Sequence, residues 1–414
     1  MHDLRDSTIQ IKNKKAFNFA FRQLRRYING KEKSYYRRSV RTNEIFYITN
    51  YKELKKSLQG YKMKKNIAIF CPSGNFGGME LDTVKLAQKL NPYCNIVLVT
   101  KKGGFIEQNF DKYFSKDDSV VLESLGFRSL SFLNTIIQTK KLLKKYDIKN
   151  IIYFGTSKLK VVYFALLGTN INLIARHGTT RREKKGFFNK LVYSRIDYHI
   201  AICKHLLNNI KKIFPFGIQT KTTLIYTSMK FRNLTKRNSG KLTILHTGRI
   251  VRGKGQIDAI KACEILVQNG IDFEFFLVGG YEKGYEEEFT KFYNSVEYKD
   301  KIKLIGFTNE VDKYLSKADI FLFPSYGEGL SNSFLEALSV GLKCISYDNT
   351  SFPELKELGF DFVLVENKNI DKLKEKLLKV AKHEIMFDLE KNKEIIENVF
   401  SQENEIKKYL EILK

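Results

Sequence analysis

Two carboxylates, Glu328 and Glu336, stand with seven residues between them in the stretch ADIFLFPSYGEGLSNSFLEALSVGLKCISYDN, Ala318 to Asn349. The stretch opens with a buried-strand run, Ile320 to Phe323, and turns at Pro324 to Gly327. A helix that Ser331 or Asn332 can cap then runs through Glu336 and stops at Gly341, and a second strand, Leu342 to Tyr347, returns. This is the strand–loop–helix–strand crossover of a parallel α/β domain. A helix start leaves four backbone N–H groups without partners and carries about half a positive charge, which makes it a phosphate site. Gly329 lets the backbone come close to a ligand there, and Leu330 and Ser331 complete the junction. A carboxylate beside a phosphate would repel it, so Glu328 and Glu336 are expected to face hydroxyl groups, one on a sugar ring and one on a ribose. A diphosphate between two polyhydroxyl groups is the shape of a nucleotide sugar.

Three other loops carry residues of the same kind. Gly248-Arg249-Ile250-Val251-Arg252-Gly253-Lys254-Gly255 follows the strand Lys241–Thr247 and leads into a helix, Gln256 to Gln268, so two cations flank a glycine turn. A departing diphosphate gains charge in the transition state, and fixed cations beside it lower the barrier. Pro72-Ser73-Gly74-Asn75-Phe76-Gly77-Gly78 joins the strand Asn66–Phe70 to a helix, Met79 to Leu90, and glycines there admit phosphate or sugar. His177 follows the strand Asn172–Ala175, at the carboxyl end where open sheets place ligands.

The context of these residues resembles glycosyltransferase family 4, the retaining "group 1" glycosyl transferases. FLFPSYGEGLSNSFLEALSVGLKCIS follows that family's pattern nearly position for position, and Glu328 and Glu336 are its E-x7-E pair. Gly77-Gly78-Met79-Glu80 is similar to its G-G-x-E loop, which borders the donor diphosphate and the acceptor. Arg249 and Lys254 match its G-R-x-x-x-x-K-G element, which neutralises the diphosphate. The resemblance implies that a histidine at His177 approaches the donor sugar and that Phe307, in Gly306-Phe307-Thr308, lies against the base. It implies a GT-B fold: two Rossmann-like doubly wound α/β domains facing across a cleft, with a C-terminal helix crossing back to the first. Carried over residue by residue, it assigns Glu328, His177, Arg249 and Lys254 to catalysis. It assigns Gly77, Gly78, Arg249, Lys254, Phe307, Glu328, Gly329, Leu330, Ser331 and Glu336 to the donor. It covers roughly residues 63–400, and its motifs are specific in the second half.

A chain of 414 residues supports two or three domains, and 43% hydrophobic content is that of a globular protein. Four segments are expected: a basic extension, 1–62; a Rossmann-like acceptor domain, 63–235; a donor domain, 236–400; and a returning helix, 401–414. No run of eighteen apolar residues and no apolar signal core are visible, which points to a cytoplasmic chain. The five cysteines are scattered without C-x-x-C, as buried residues in a reducing compartment would be. The net charge of +27 demands a polyanionic partner. Residues 1–65 hold 18 Lys and Arg against 5 Asp and Glu. Within them Phe17, Phe21, Leu24 and Ile28 fall on one helix face flanked by cations, which suits either an anionic bilayer or the protein's own surface. Arg181 to Phe188, RREKKGFF, is a basic aromatic patch that suits a lipid-linked acceptor at a membrane or a single-stranded nucleic acid.

No D-x-D pair is present, so no metal is expected; cations and the helix start would hold the diphosphate. The expected reaction is hexosyl transfer from a UDP- or GDP-sugar to a hydroxyl, with retention implied by the family. The acceptor expected is a glycan or lipid-linked glycan of a bacterial lipopolysaccharide, capsule or other surface polysaccharide, met at the inner face of the cytoplasmic membrane. Three competitors stay open: a sugar-nucleotide epimerase on the same fold, a non-enzymatic nucleic-acid binder, and a silent partner subunit. No nucleic-acid module accompanies the charge, which counts against the second.

Overall fold

The computed structural model describes residues 36–38, 45–47, 64–75, 77–127, 132–180, 186–229, 232, 234–235 and 240–414. The expected amphipathic helix around Phe17 to Ile28 and the basic run Arg181 to Lys185 lie outside the described residues. Within the unit of residues 1–64, β1 (Tyr36–Arg38) and β2 (Ile45–Tyr47) pair antiparallel.

Among the described residues of 65–414, the strands form two parallel sheets. The first has seven strands: β3 (Lys65–Cys71), β4 (Cys94–Lys101), β5 (Val120–Leu125), β6 (Asn150–Phe154), β7 (Asn172–His177), β8 (Tyr198–Ala201) and β9 (Lys221–Leu224), in the order β5-β4-β3-β6-β7-β8-β9. The second has six: β10 (Leu242–Thr247), β11 (Phe273–Val278), β12 (Ile302–Gly306), β13 (Ile320–Phe323), β14 (Lys343–Asp348) and β15 (Val363–Glu366), in the order β12-β11-β10-β13-β14-β15. Both sheets are wound outward in two directions from a central pair, β3–β6 and β10–β13, and in a doubly wound sheet the ligand edge is the carboxyl edge at that switch. The inner strands read as unbroken apolar runs because helices cover both faces. NIIYF of β6 and IFLF of β13 are buried throughout.

Helices fill the crossovers. In the first domain these include α1 (Gly78–Leu90), α2 (Phe105–Gln108), α3 (Phe110–Tyr113), α4 (Phe132–Lys145), α5 (Leu159–Leu166), α6 (Phe187–Ser194) and α7 (Lys204–Ile213). In the second they are α8 (Gln256–Gln268), α9 (Glu286–Asn294), α10 (Val311–Leu315), α11 (Asn332–Ser339) and α12 (Phe352–Glu357). Ser351-Phe352-Pro353-Glu354, which reads from sequence as part of the sheet, instead starts α12, with proline in its first turn where a missing N–H costs nothing. The tail is helical: α13 (Ile370–Ala381), α14 (Leu389–Val399) and α15 (Gln402–Ile412), the last of them in the expected segment 401–414.

The last helix returns to the first domain. Tyr409 and Leu413 are buried in one cluster with Ile67, Ile69 and Leu98 of the first sheet. Glu405, 3% exposed, takes a 2.7 Å ion pair from Lys89 on α1 and a 2.9 Å hydrogen bond from the Ser228 N–H. A second cluster runs through both domains, from Phe70 and Val99 by way of Leu206 and Leu330 to Phe323 and Phe334. All five cysteines are buried and free.

Candidate active site

The loop between β13 and α11 carries the first glutamate. Ser331 caps α11 by accepting from the Phe334 N–H at 3.3 Å, which leaves the earlier N–H groups of the helix for a ligand. Leu330 and Ser331 are 8% and 4% exposed. Glu328 accepts at one carboxylate oxygen from Lys254 Nζ and from Ser325 Oγ, each at 2.7 Å. Its N–H donates to Thr350 Oγ1 at 2.9 Å. The glutamate is therefore aimed by three separate loops.

Lys254 arrives from the loop after β10. Gly255 makes that approach possible. Its φ is +71°, and a Cβ there would lie 1.8 Å from the Pro324 carbonyl oxygen, so only glycine lets the two loops press together. The Lys254 ammonium sits 5.4 Å over the Phe323 ring. Its carbonyl accepts from His246 Nε2 at 3.0 Å, and burial pushes that imidazole down to about 4, with the Lys254 charge adding to the effect. A neutral imidazole thus props the lysine loop without competing for its anion. Arg249, at the other end of the loop, points outward with its side chain 63% exposed and 3.3 Å from Glu282.

The first domain closes on this loop. A Cβ on Gly329 would meet the Gly178 carbonyl oxygen at 2.3 Å, so backbone touches backbone between the domains. Cys203 Sγ donates to the Gly329 carbonyl at 2.8 Å. One step further, Glu354 on α12 accepts from the Lys204 N–H at 2.6 Å and from the Tyr226 hydroxyl at 2.5 Å. It is a carboxylate from one domain capping the α7 helix of the other. Burial raises its pKa, and the Tyr226 and Lys204 hydrogen bonds pull the other way.

His177 is not in the loop. β7 runs two residues beyond the expected Ala175, so the side chain falls on the sheet face shared with His199 of β8. The imidazole is 2% exposed, stacks on His199 with its Nε2 3.0 Å from His199 Nδ1, and packs tilted against Phe214. What the first domain offers the donor loop here is the backbone of Gly178, not an imidazole. Glu336 is also engaged within the protein. Arg232, from the linker, reaches it at 2.9 Å and also pairs with Asp312. Burial raises the Glu336 pKa, opposed by Arg232 and then Lys85.

Phe307 follows β12 and is 65% exposed, an aromatic face at a carboxyl edge. Gly77 caps α1 in extended conformation, and the space before Gly78 is open. The structure joins Glu328, Lys254, Gly329 and Ser331 by direct contact. It sets Arg249, Phe307, Gly77 and Gly78 at the ends of strands in the same two carboxyl edges. Sequence reasoning misses Ser325, Thr350, Cys203 and Arg232, short or flexible side chains with no motif of their own. Glu354 lies in a segment that reads from sequence as part of the sheet, and its partners are 150 and 128 residues away. Among the described residues no group of three His, Cys, Asp or Glu side chains is placed to hold a metal ion.

Residues 228–402 match the family described as Glycosyl transferases group 1. CapH, the capsular polysaccharide biosynthesis glycosyltransferase of Staphylococcus aureus, is 25% identical over 337 residues, 75% of this chain and 89% of its own. The UDP-Gal:alpha-D-GlcNAc-diphosphoundecaprenol alpha-1,3-galactosyltransferase of Escherichia coli is 26% identical over 286 residues, 63% of this chain and 73% of its own. The amylovoran biosynthesis glycosyltransferase AmsK of Erwinia amylovora is 36% identical over 124 residues, 28% of this chain and only 30% of its own. Among solved structures, a glycosyltransferase from Rickettsia africae superposes with a TM-score of 0.72 at 19% identity, covering 84% of this chain and 97% of that one. HepE of Anabaena, solved with UDP and glucose, gives 0.68 at 16% identity, covering 84% and 99%. The fold is GT-B, and the protein is a glycosyltransferase. Within that class, it is residues 228–402, the second domain and its flanks, that match the group 1 glycosyl transferases.

Proposed function

We propose that the protein transfers a hexosyl unit, with retention, from a UDP- or GDP-sugar to a hydroxyl of a lipid-linked glycan in bacterial surface polysaccharide synthesis. The observation that carries this is the Glu328–Lys254 pair at a capped helix start, closed from the other domain by Gly178. In this reading the diphosphate lies on the first N–H groups of α11. Lys254 and Arg249 meet the charge that grows on it as the glycosidic bond breaks. No metal is needed for that step. Glu328 orients the hexose through a hydroxyl and holds Lys254 in place. Glu336 faces the ribose, Phe307 the base, and the Gly77–Gly78 loop the diphosphate and acceptor. Retention is implied by the family resemblance, and Glu328, already engaged by Lys254 and Ser325, is read here as an orienting group rather than a nucleophile.

The acceptor class is supported by the activities for which relatives are named. The Escherichia coli relative and a Campylobacter jejuni one, 25% identical over 243 residues, are both named for transfer to diphosphoundecaprenol-linked sugars. No helix among the described residues is long and apolar enough to cross a membrane. In this reading the protein meets its acceptor from the cytoplasmic side, at the anionic surface of the bilayer.

The test is transfer itself. The purified protein is incubated with radiolabelled UDP- and GDP-hexoses and short diphosphoundecaprenol-linked acceptors. Label in the lipid fraction, with the anomeric configuration of the donor kept, is the expected result. Conversion of the donor sugar without any acceptor would instead make the protein an epimerase.

A further inference from the structure

The net charge of +27 has a simple geography. Residues 1–65 carry 18 Lys and Arg against 5 Asp and Glu, and residues 132–220 carry 17 against 3. Those two segments hold the entire positive excess, and everything else in the chain sums to zero. The exposed apolar residues follow the second segment. Of thirteen large hydrophobic side chains exposed among the described residues, eight lie between Leu133 and Ile218. The rest are scattered.

These eight lie on adjoining elements. On α4, Leu133 and Ile137 are 74% and 52% exposed and share a helix face that continues through Lys140, Lys141 and Lys144. On α6, Phe187 is 84% and Leu191 42% exposed, with Lys190 beside them. Phe164 of α5 bridges the two helices, edge-on to Phe132 and stacked on Phe188, both at 5.9 Å. Lys160 Nζ stands 4.7 Å over the Phe188 ring. Gly217 packs against the Ser194 carbonyl, which brings the fully exposed Ile218 to the far end of α6. The face also connects to the site. Phe187 follows Gly178, which lies against the donor loop, by nine positions in the sequence.

We propose that this face of α4, α5 and α6 docks the first domain onto an anionic lipid bilayer. The proposal rests on the acceptor reading above and names where the enzyme meets the surface that holds that acceptor. Lysines draw the face to anionic headgroups, and the exposed side chains enter the boundary between headgroups and acyl chains. Nucleic acid would reward the charge and the phenylalanines, but not Leu133, Ile137, Leu191 and Ile218, which gain only from an apolar phase.

The test uses the full chain and sedimentation with vesicles of phosphatidylcholine containing roughly a third phosphatidylglycerol. Leu133→Ser, Phe187→Ser and Leu191→Ser together should weaken binding at least tenfold. Lys140→Ala, Lys141→Ala and Lys144→Ala together should weaken it by about a hundredfold, on the scale of fivefold per lysine. Val267→Ser with Met386→Ser, exposed in the second domain, should bind as wild type. Thermal stability and donor binding should be unchanged in all of them. Wild-type vesicle affinity in either set of first-domain variants would overturn the proposal. So would vesicle binding that is absent in the wild type while a single-stranded RNA binds through the same residues. If vesicles bind through this face but no sugar is transferred, the functional reading fails and the docking face stands. If sugar is transferred to a soluble acceptor analogue but vesicles are not bound, the docking face fails and the functional reading stands.

Discussion

At the scale of single residues, the chemistry rests on a cation held by a carboxylate. Lys254 and Glu328 are 26% and 12% exposed, so their pair is half withdrawn from water and oriented before any ligand arrives. Arg249 is 63% exposed and, among the described residues, tied to Glu282. The two cations should therefore fail differently. Lys254→Ala should lower kcat/KM by about a hundredfold and cost about 1–3 kcal/mol of stability, because the half-buried Glu328 carboxylate is left without its cation. Arg249→Ala should lower kcat/KM on the same scale with stability changed by less than about 0.5 kcal/mol. Parallel kinetics and thermal unfolding of the two variants check this; equal losses of stability would mean that Lys254 is no more built in than Arg249. His246 and His199 add a pH signature. Burial pushes both from the ordinary 6.5 to about 4. Each binds its proton more readily unfolded than folded, so the stability they contribute is complete above pH 6.5 and is lost as pH falls towards 4. Unfolding free energy measured against pH should be level above neutrality and fall through that window. The fall should be shallower in His199→Phe.

At the scale of elements, the strands and the donor loop are legible in the sequence because their signals are local. β11, β13 and α8 lie where apolar runs and glycine turns place them, and Ser331 caps α11 as its type suggests. β5 and β9 are not legible. VVLESL and KTTL are short and half polar, as sheet-edge strands are, and carry too little apolar pattern to read. His177 differs from expectation by two residues of strand, enough to turn a loop side chain into a core one. Glu354 is unreadable for another reason. Its meaning lies in Lys204 and Tyr226, which only the closed pair of domains brings to it. Glu354→Gln should loosen the start of α7 from the donor loop. Hydrogen exchange at the Lys204 and His205 amides and in residues 328–331 should quicken together, and kcat should fall more than donor affinity. Glu357→Gln, which removes only the exposed partner of the Lys204 ammonium, should leave both unchanged.

At the scale of the molecule, two sheets are held carboxyl edge to carboxyl edge by several ties among the described residues. Gly178 meets Gly329, the linker's Arg232 grips Glu336 and Asp312, and α15 crosses back to the first domain. The crossing is expected from resemblance; the grip of Arg232 on the second glutamate is not. If Glu336 serves the donor ribose, the donor and Arg232 share it. Glu336→Gln should then weaken donor binding while also loosening the linker. The central claim, that this junction binds a nucleotide sugar, is most directly tested by thermal unfolding of wild type and Lys254→Ala against a panel of nucleoside diphosphates and nucleotide sugars. One UDP- or GDP-based ligand at a hundred times its Kd should stabilise the wild type by about 2.7 kcal/mol, and the same concentration should do far less for Lys254→Ala. A folded wild-type protein stabilised by none of them, or a variant stabilised equally, would contradict the site described.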